Sequence, residues 1–100
     1  MITLEHVDQY SGEIIKLHIH TDRYANNNLA ILATDDDGFP YCTISVNINK
    51  LPPDQFCYDY NNNGRILYEE LIDAGLIEQT GKMIPSGYCW YPLCIWKGDK

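Results

Sequence analysis

Residues 29–49 read LAILATDDDGFPYCTISVNIN, and the fold class turns on how that run is parsed. Leu29 to Ala33 is a short apolar stretch, stopped by Asp35-Asp36-Asp37-Gly38. The Asp37-Gly38 pair tolerates the positive backbone angles of a tight hairpin. Tyr41 to Asn49 then alternates, with Cys42, Ile44, Val46 and Ile48 facing inward and Thr43, Ser45 and Asn47 outward. A period of two marks a strand with one buried face. Two strands joined by so short a turn must run antiparallel.

Upstream, Ile2 and Leu4 share one strand face, and Asp8 to Gly12 reads as a turn. Glu13 to Thr21 places Ile15, Leu17 and Ile19 on one side and Lys16, His18 and His20 on the other. If Ile2 and Leu4 face the core with Leu17, His6 points the same way, opposite to the His18–His20 pair. Asn26-Asn27-Asn28 supplies a turn before the hairpin. Downstream, Pro52-Pro53 interrupts the sheet and Phe56-Cys57-Tyr58 reads as a short strand.

Arg65 to Ala74 is the one convincing helix. Asn62 or Asn63 is expected to cap it, and Leu67, Leu71 and Ile72 form its apolar face, while Glu69, Glu70 and Asp73 face water. Gly75 should end it in the left-handed conformation, with Leu76 folding back over the last turn. Leu76 to Thr80 and Gly81 to Ile84 are expected to be extended. Pro85-Ser86-Gly87 turns into a final aromatic strand, Tyr88 to Trp96, in which Pro92 implies an edge or a bulge. The expected architecture is α+β: an antiparallel sheet of five to six strands with one helix packed on one face, built as a single domain over residues 1–100.

The chain of 100 residues is 45% hydrophobic and 21% charged, which suits a folded domain with one modest core. No apolar run is long enough to span a bilayer, and Met1 to Glu5 does not begin a secretory signal, so the expected compartment is the cytoplasm. The four cysteines, Cys42, Cys57, Cys89 and Cys94, are then expected to be thiols. Net charge is −7, from 14 acidic and 7 basic residues. The lysines and arginines are dispersed, which disfavours direct nucleic-acid or membrane binding. An acidic surface keeps a small protein soluble; it also suits attraction to a basic groove on a protein partner.

Asp59 to Glu70 fills every fixed position of a calcium-loop template: Asp59, Asn61 and Asn63 as side-chain ligands, Gly64 at the turn, the Arg65 carbonyl, and Glu70 as the bidentate closer. Against that reading, Pro52 and Pro53 leave little room for an entering helix, and only two positions bring formal charge. The favoured reading is an asparagine turn capping the helix, with no metal and no other cofactor. His18 and His20 supply two corners of a zinc site but no further ligand near them in sequence, and the cysteines show no paired spacing. No catalytic motif is present, and the chain reads as a non-enzyme.

Tyr88, Trp90, Tyr91 and Trp96 crowd the last strand, where alternation sends about half of such a set into the core and leaves the others for an interface. Taken together, RYANNNLAILATDDDGFPYCTISVNI (23–48), the Asn61-Asn62-Asn63 turn, ELIDAGLIEQTGK (70–82) and SGYCWYPL (86–93) resemble a family of small bacterial proteins of no assigned function. That family looks to be carried by conjugative and phage-like elements of gut Firmicutes. The resemblance implies a cargo gene of mobile DNA, and small acidic cargo of this kind resembles inhibitors of nucleic-acid-binding machinery. The expectation is thus an acidic interaction protein, a monomer or small homo-oligomer. It would dock on a basic, nucleic-acid-binding defence protein of the CRISPR or restriction type. Asp35, Asp36, Asp37, Glu69, Glu70 and Asp73 would supply the negative face, and Tyr88 and Trp90 the anchors. The alternatives are a calcium module on Asp59–Glu70 and a structural or regulatory domain.

Overall fold

Strands β1 (Ile2–Val7), β2 (Ile14–Arg23), β3 (Leu29–Thr34) and β4 (Pro40–Thr43) form an antiparallel meander in chain order. The computed structural model describes residues 2–98. A second antiparallel sheet, in the order β5-β6-β8-β7, is built from β5 (Ser45–Val46), β6 (Gln55–Tyr58), β7 (Ile77–Ser86) and β8 (Cys89–Trp96). The expected α+β class and antiparallel pairing hold. The single sheet of five to six strands does not: there are two sheets of four.

The division falls inside the run that was read as one strand. Ile44 donates its N–H to the Ile31 carbonyl at 2.8 Å, still on the ladder of the first sheet, while its own carbonyl accepts the Asp59 N–H at 2.9 Å. From Ser45 the chain pairs with β6 instead, Ser45 opposite Tyr58 and Val46 opposite Cys57. One bent run, residues 40–46, thus belongs to both sheets. Ser45, expected to face water, is buried because the chain passes between two layers at that point.

The core lies between the sheets and the helix. Leu17, Ile31, Ile44, Phe56, Tyr58, Leu67 and Leu71 are nearly or fully sealed from solvent, and each aliphatic member stabilises the fold by about 1.5–3 kcal/mol through burial. Tyr58, Tyr60 and Tyr68 stack at centroid separations of 4.7 to 6.0 Å where the helix meets the second sheet.

Helix α1 (Tyr60–Asp73) gains a turn ahead of the expected start at Arg65, set off from it by a break at Gly64, and the cap of that turn is Asp59 instead of Asn62 or Asn63. The Asp59 carboxylate accepts the backbone N–H of Asn62 at 3.4 Å and its side-chain amide at 2.8 Å. Gly64 interrupts the helix at φ 76°, ψ −174°, a region in effect reserved for glycine. The carbonyl released there is taken up by the Tyr58 hydroxyl, which donates to it at 2.8 Å. The C-terminus behaves as expected. Gly75 is left-handed at φ 74°, its N–H reaches the Ile72 carbonyl, and the Leu76 N–H reaches that of Leu71, both at 3.0 Å. Helix α1 packs on β1 of the first sheet and on β7 and β8 of the second.

Ile77 to Ser86 is one strand with an irregularity between Gln79 and Met83, Leu76 lying just before it, and Pro85 and Ser86 still pair with Trp90 and Cys89. The turn is therefore Gly87-Tyr88. β8 sits inside its sheet and not at an edge, yet Pro92 is tolerated. β6 stops pairing at Leu93, and Pro92 faces Met83 at the end of the β7 bulge. No described helix is long and apolar enough to cross a membrane.

Candidate functional site

The residues expected to form one acidic, aromatic face are divided among three places. Asp35, Asp36 and Asp37 sit on the β3–β4 turn. Asp35 holds that turn together, its Oδ1 accepting the N–H groups of Asp37 at 2.9 Å and Phe39 at 3.0 Å. Asp36 pairs with His18 Nε2 at 2.8 Å, and Asp37 is exposed. Glu69 and Asp73 are exposed on the helix, Glu69 within 3.8 Å of Arg65 Nε. Glu70 is not a surface acid at all. Its carboxylate turns onto β1, where it meets His6 Nδ1 at 2.5 Å and accepts the Val7 N–H at 2.9 Å. Tyr88 and Trp90 project from the β7–β8 hairpin, Trp90 being 61% exposed. Trp90 edges a groove of about 360 Å³ with Tyr60, Tyr68, Met83 and Pro92.

The calcium arrangement is not formed. Asn61, Asn63 and Arg65 lie on helical backbone either side of Gly64, Asp59 is buried as the cap, and Glu70 is bonded to β1. Asn63 donates its amide to the Thr43 carbonyl at 2.8 Å. A helix carries these groups outward along its length, whereas a calcium loop folds them round a centre. Among the described residues no group of three or more His, Cys, Asp or Glu is placed to hold a metal. His20 bonds Thr34 Oγ1 at 2.9 Å, alongside the His18–Asp36 pair. The four cysteines are free thiols. Burial pushes Cys42, Cys57 and Cys94 up to about 11, so they stay protonated and unreactive at neutral pH.

What the fold does assemble is an acidic end. β1 and β2 pair from Ile2–Ile19 down to Val7–Ile14, and β2 and β3 from Arg23–Leu29 to His18–Thr34. The β1–β2 and β3–β4 turns therefore leave the first sheet at the same end. Curling of that sheet brings its two outer strands together: the Tyr41 hydroxyl on β4 donates to Asp8 Oδ2 at 2.9 Å, and the Tyr41 ring meets His6 edge to face at 5.6 Å. Asp8, Glu13, Asp35, Asp36 and Asp37 are thereby gathered on two neighbouring turns. Exposed apolar side chains stand among them: Tyr10 at 90%, Ile14 at 70% and Phe39 at 66% exposure. Arg23 and Lys50 occupy the opposite end, donating to the carbonyls of Pro53 at 2.8 Å and Asn26 at 2.6 Å.

Beneath the acidic end, β1, β4 and the first turns of α1 enclose a cavity of about 170 Å³ lined by His6, Asp8, Tyr41, Asn62, Asn63 and Ile66, among others. The backbone N–H groups of Tyr10 and Ser11, then the Tyr41 hydroxyl, hold the Asp8 carboxyl below its ordinary value. Desolvation, reinforced by that same hydrogen bond, pushes Tyr41 up to about 12.

His6, Asp8, Tyr10, Phe39 and Tyr41 carry this end, and none was singled out as a site residue from the sequence. The inward placement of His6 was readable from its register with Leu4. Its partner Glu70, 64 residues away, was not. Family models, curated proteins and solved structures yield no match to the chain.

Proposed function

We propose that the protein is a small acidic docking domain that binds a basic, nucleic-acid-handling surface of a protein partner and blocks it. An inhibitor of a CRISPR or restriction effector would act in this way. The observation that carries the reading is the end of the first sheet. There Asp8, Glu13, Asp35, Asp36 and Asp37 share two turns with the exposed side chains of Tyr10, Ile14 and Phe39. Apolar anchors ringed by charge are the anatomy of a protein-binding surface: the anchors hold the complex, and the ring steers encounter and excludes wrong partners. The sign of that ring selects a basic partner, and surfaces that grip a phosphate backbone are basic.

The site differs from the one read in the sequence. Asp35, Asp36 and Asp37 stay in it. Glu70 leaves it, and Tyr10 and Phe39 take the anchoring role given to Tyr88 and Trp90. The test is transformation of a host carrying an active restriction or CRISPR system with a targeted plasmid. Expression of the wild-type protein should restore recovery of the plasmid, and the D35N/D36N/D37N variant should not. Equal recovery with the neutralised variant, or no rescue across such systems, would end the proposal. A captured partner whose affinity ignores salt would also count against it.

A further inference from the structure

The cavity under the acidic end has a chemical bias that goes beyond net charge. His6 is 5% exposed, and its Nδ1 faces the Glu70 carboxylate at 2.5 Å. A carboxylate can only accept, so Nδ1 carries the proton of that bond. No described hydrogen bond occupies Nε2. Asn62 and Asn63 each give their NH2 to a group that can only accept, the Asp59 carboxylate and the Thr43 carbonyl, both at 2.8 Å. Each keeps its side-chain carbonyl as an acceptor, and one amide hydrogen. The Tyr41 hydroxyl gives its proton to Asp8 Oδ2 and keeps its lone pairs. Asp8 Oδ1 already takes the N–H groups of Tyr10 at 2.8 Å and Ser11 at 3.1 Å, which leaves capacity on Oδ2. The acceptor positions that these bonds leave on the lining are Asp8 Oδ2, the Tyr41 oxygen and the side-chain carbonyls of Asn62 and Asn63.

Such a lining asks for a donor-rich, positively charged occupant. At about 170 Å³ the cavity is smaller than pockets that enclose a whole drug-sized molecule, roughly 300 Å³ and upward, and its scale is that of one side chain. Ile66 and Leu67 supply an apolar wall for a methylene stem. Imidazole and phenol oxygen are poor company for calcium, which takes carboxylates, carbonyls and water.

We infer that this cavity is a receptor for one basic side chain, foremost an arginine guanidinium, presented by the protein that docks on the acidic end. The assignment rests on the docking reading for the source of the arginine, but the cavity's preference for a guanidinium is testable without a partner. N-acetyl-arginine amide and its uncharged isostere N-acetyl-citrulline amide are titrated into the full chain near neutral pH, with the His6 ring and Tyr41 signals followed by NMR. The arginine compound should move both signals saturably, and citrulline should bind at least about tenfold more weakly. An Ile66→Lys variant, whose own ammonium stands at the cavity wall, should lose the response while keeping its circular dichroism. Equal binding of citrulline, or His6 and Tyr41 signals that ignore the arginine compound, would overturn the inference. Agmatine binding more than about tenfold tighter than the blocked arginine would overturn the side-chain source and point to a free amine. The D35N/D36N/D37N variant keeps the cavity and should still bind the probe. If the probe binds and no defence system is blocked, the docking reading fails alone; if a system is blocked and the probe does not bind, the cavity assignment fails alone.

Discussion

The Ser45 hydroxyl oxygen accepts the Ile31 N–H at 2.9 Å inside the corner where residues 40–46 pass from one sheet to the other. Tyr24 reaches the same hydroxyl at 3.0 Å. A ladder bond that β3 would otherwise make to a neighbouring strand is thus supplied by a side chain, and the sheets can part without orphaning a buried amide. Ser45→Ala removes that acceptor. It should lower the unfolding free energy by about 1–3 kcal/mol, whereas Thr43→Ala, on the exposed side of the same run, should stay within about 0.5 kcal/mol. Urea denaturation of the two variants checks the contrast, and similar midpoints would refute the corner's role.

Gly64 is the second place where one residue decides the path. At φ 76°, ψ −174° an L side chain is strained, and a Cβ would stand 3.3 Å from Gln9 Oε1. Gly64→Ala should therefore destabilise the protein by about 1–3 kcal/mol and loosen the bond from Tyr58 to the Gly64 carbonyl. The same substitution at Gly12, at a similar φ but with open space around it, shows what a positive φ costs without a neighbour in the way. Thermal melts of both variants provide the comparison, and a Gly64→Ala protein as stable as wild type would contradict it.

These two sites show what the residue pattern carries and what it leaves out. The hairpin at Asp37-Gly38, the apolar face of the helix and its end at Gly75 are local: each follows from a turn residue or a period, and each is where the pattern put it. The sheet switch at Ile44 leaves no trace in the residue alternation, which runs on unbroken although Ser45 turns inward and Val46 is only half-buried. The helix start shifted because Asn61-Asn62-Asn63 reads as a turn by composition. Asp59, fixed to the corner through its N–H to the Ile44 carbonyl, caps them into a helical turn instead. The site was the least legible part. Two turns distant in sequence meet through Tyr41 and Asp8, and neither residue belongs to a motif.

Glu70 and Asp73 are both acids on α1, and the structure separates their roles. Glu70→Ala strips a buried histidine and the Val7 N–H of their acceptor and should cost about 1–3 kcal/mol of stability. Asp73→Ala, on the exposed side, should change stability by no more than about 0.5 kcal/mol. Chemical denaturation of the two variants distinguishes them, and comparable losses would mean that Glu70 does not tie α1 to β1.

Asp8 and Tyr41 make stability depend on pH at both extremes, with a sign that can be worked out. Asp8 is held below its ordinary 3.8 by the amides of Tyr10 and Ser11 and by the Tyr41 hydroxyl. Its contribution is whole above 3.8 and is lost as pH falls through the lower, folded-state value. Tyr41 is raised from 10.0 to about 12, first by desolvation and then by the hydrogen bond to Asp8. Its contribution is whole below pH 10.0 and drains away as pH climbs towards about 12. Urea midpoints followed across pH should therefore fall at both ends. Asp8→Asn should flatten the acid limb, because an amide cannot be protonated there. Tyr41→Phe should make the alkaline limb shallower and relax the acid one, since Asp8 loses a donor. The remainder of the alkaline limb comes from the buried Tyr58, Tyr68 and cysteine side chains, whose ionisation is also pushed up by burial. An alkaline limb unchanged in Tyr41→Phe would show that desolvation and the bond to Asp8 do not raise the phenol as stated.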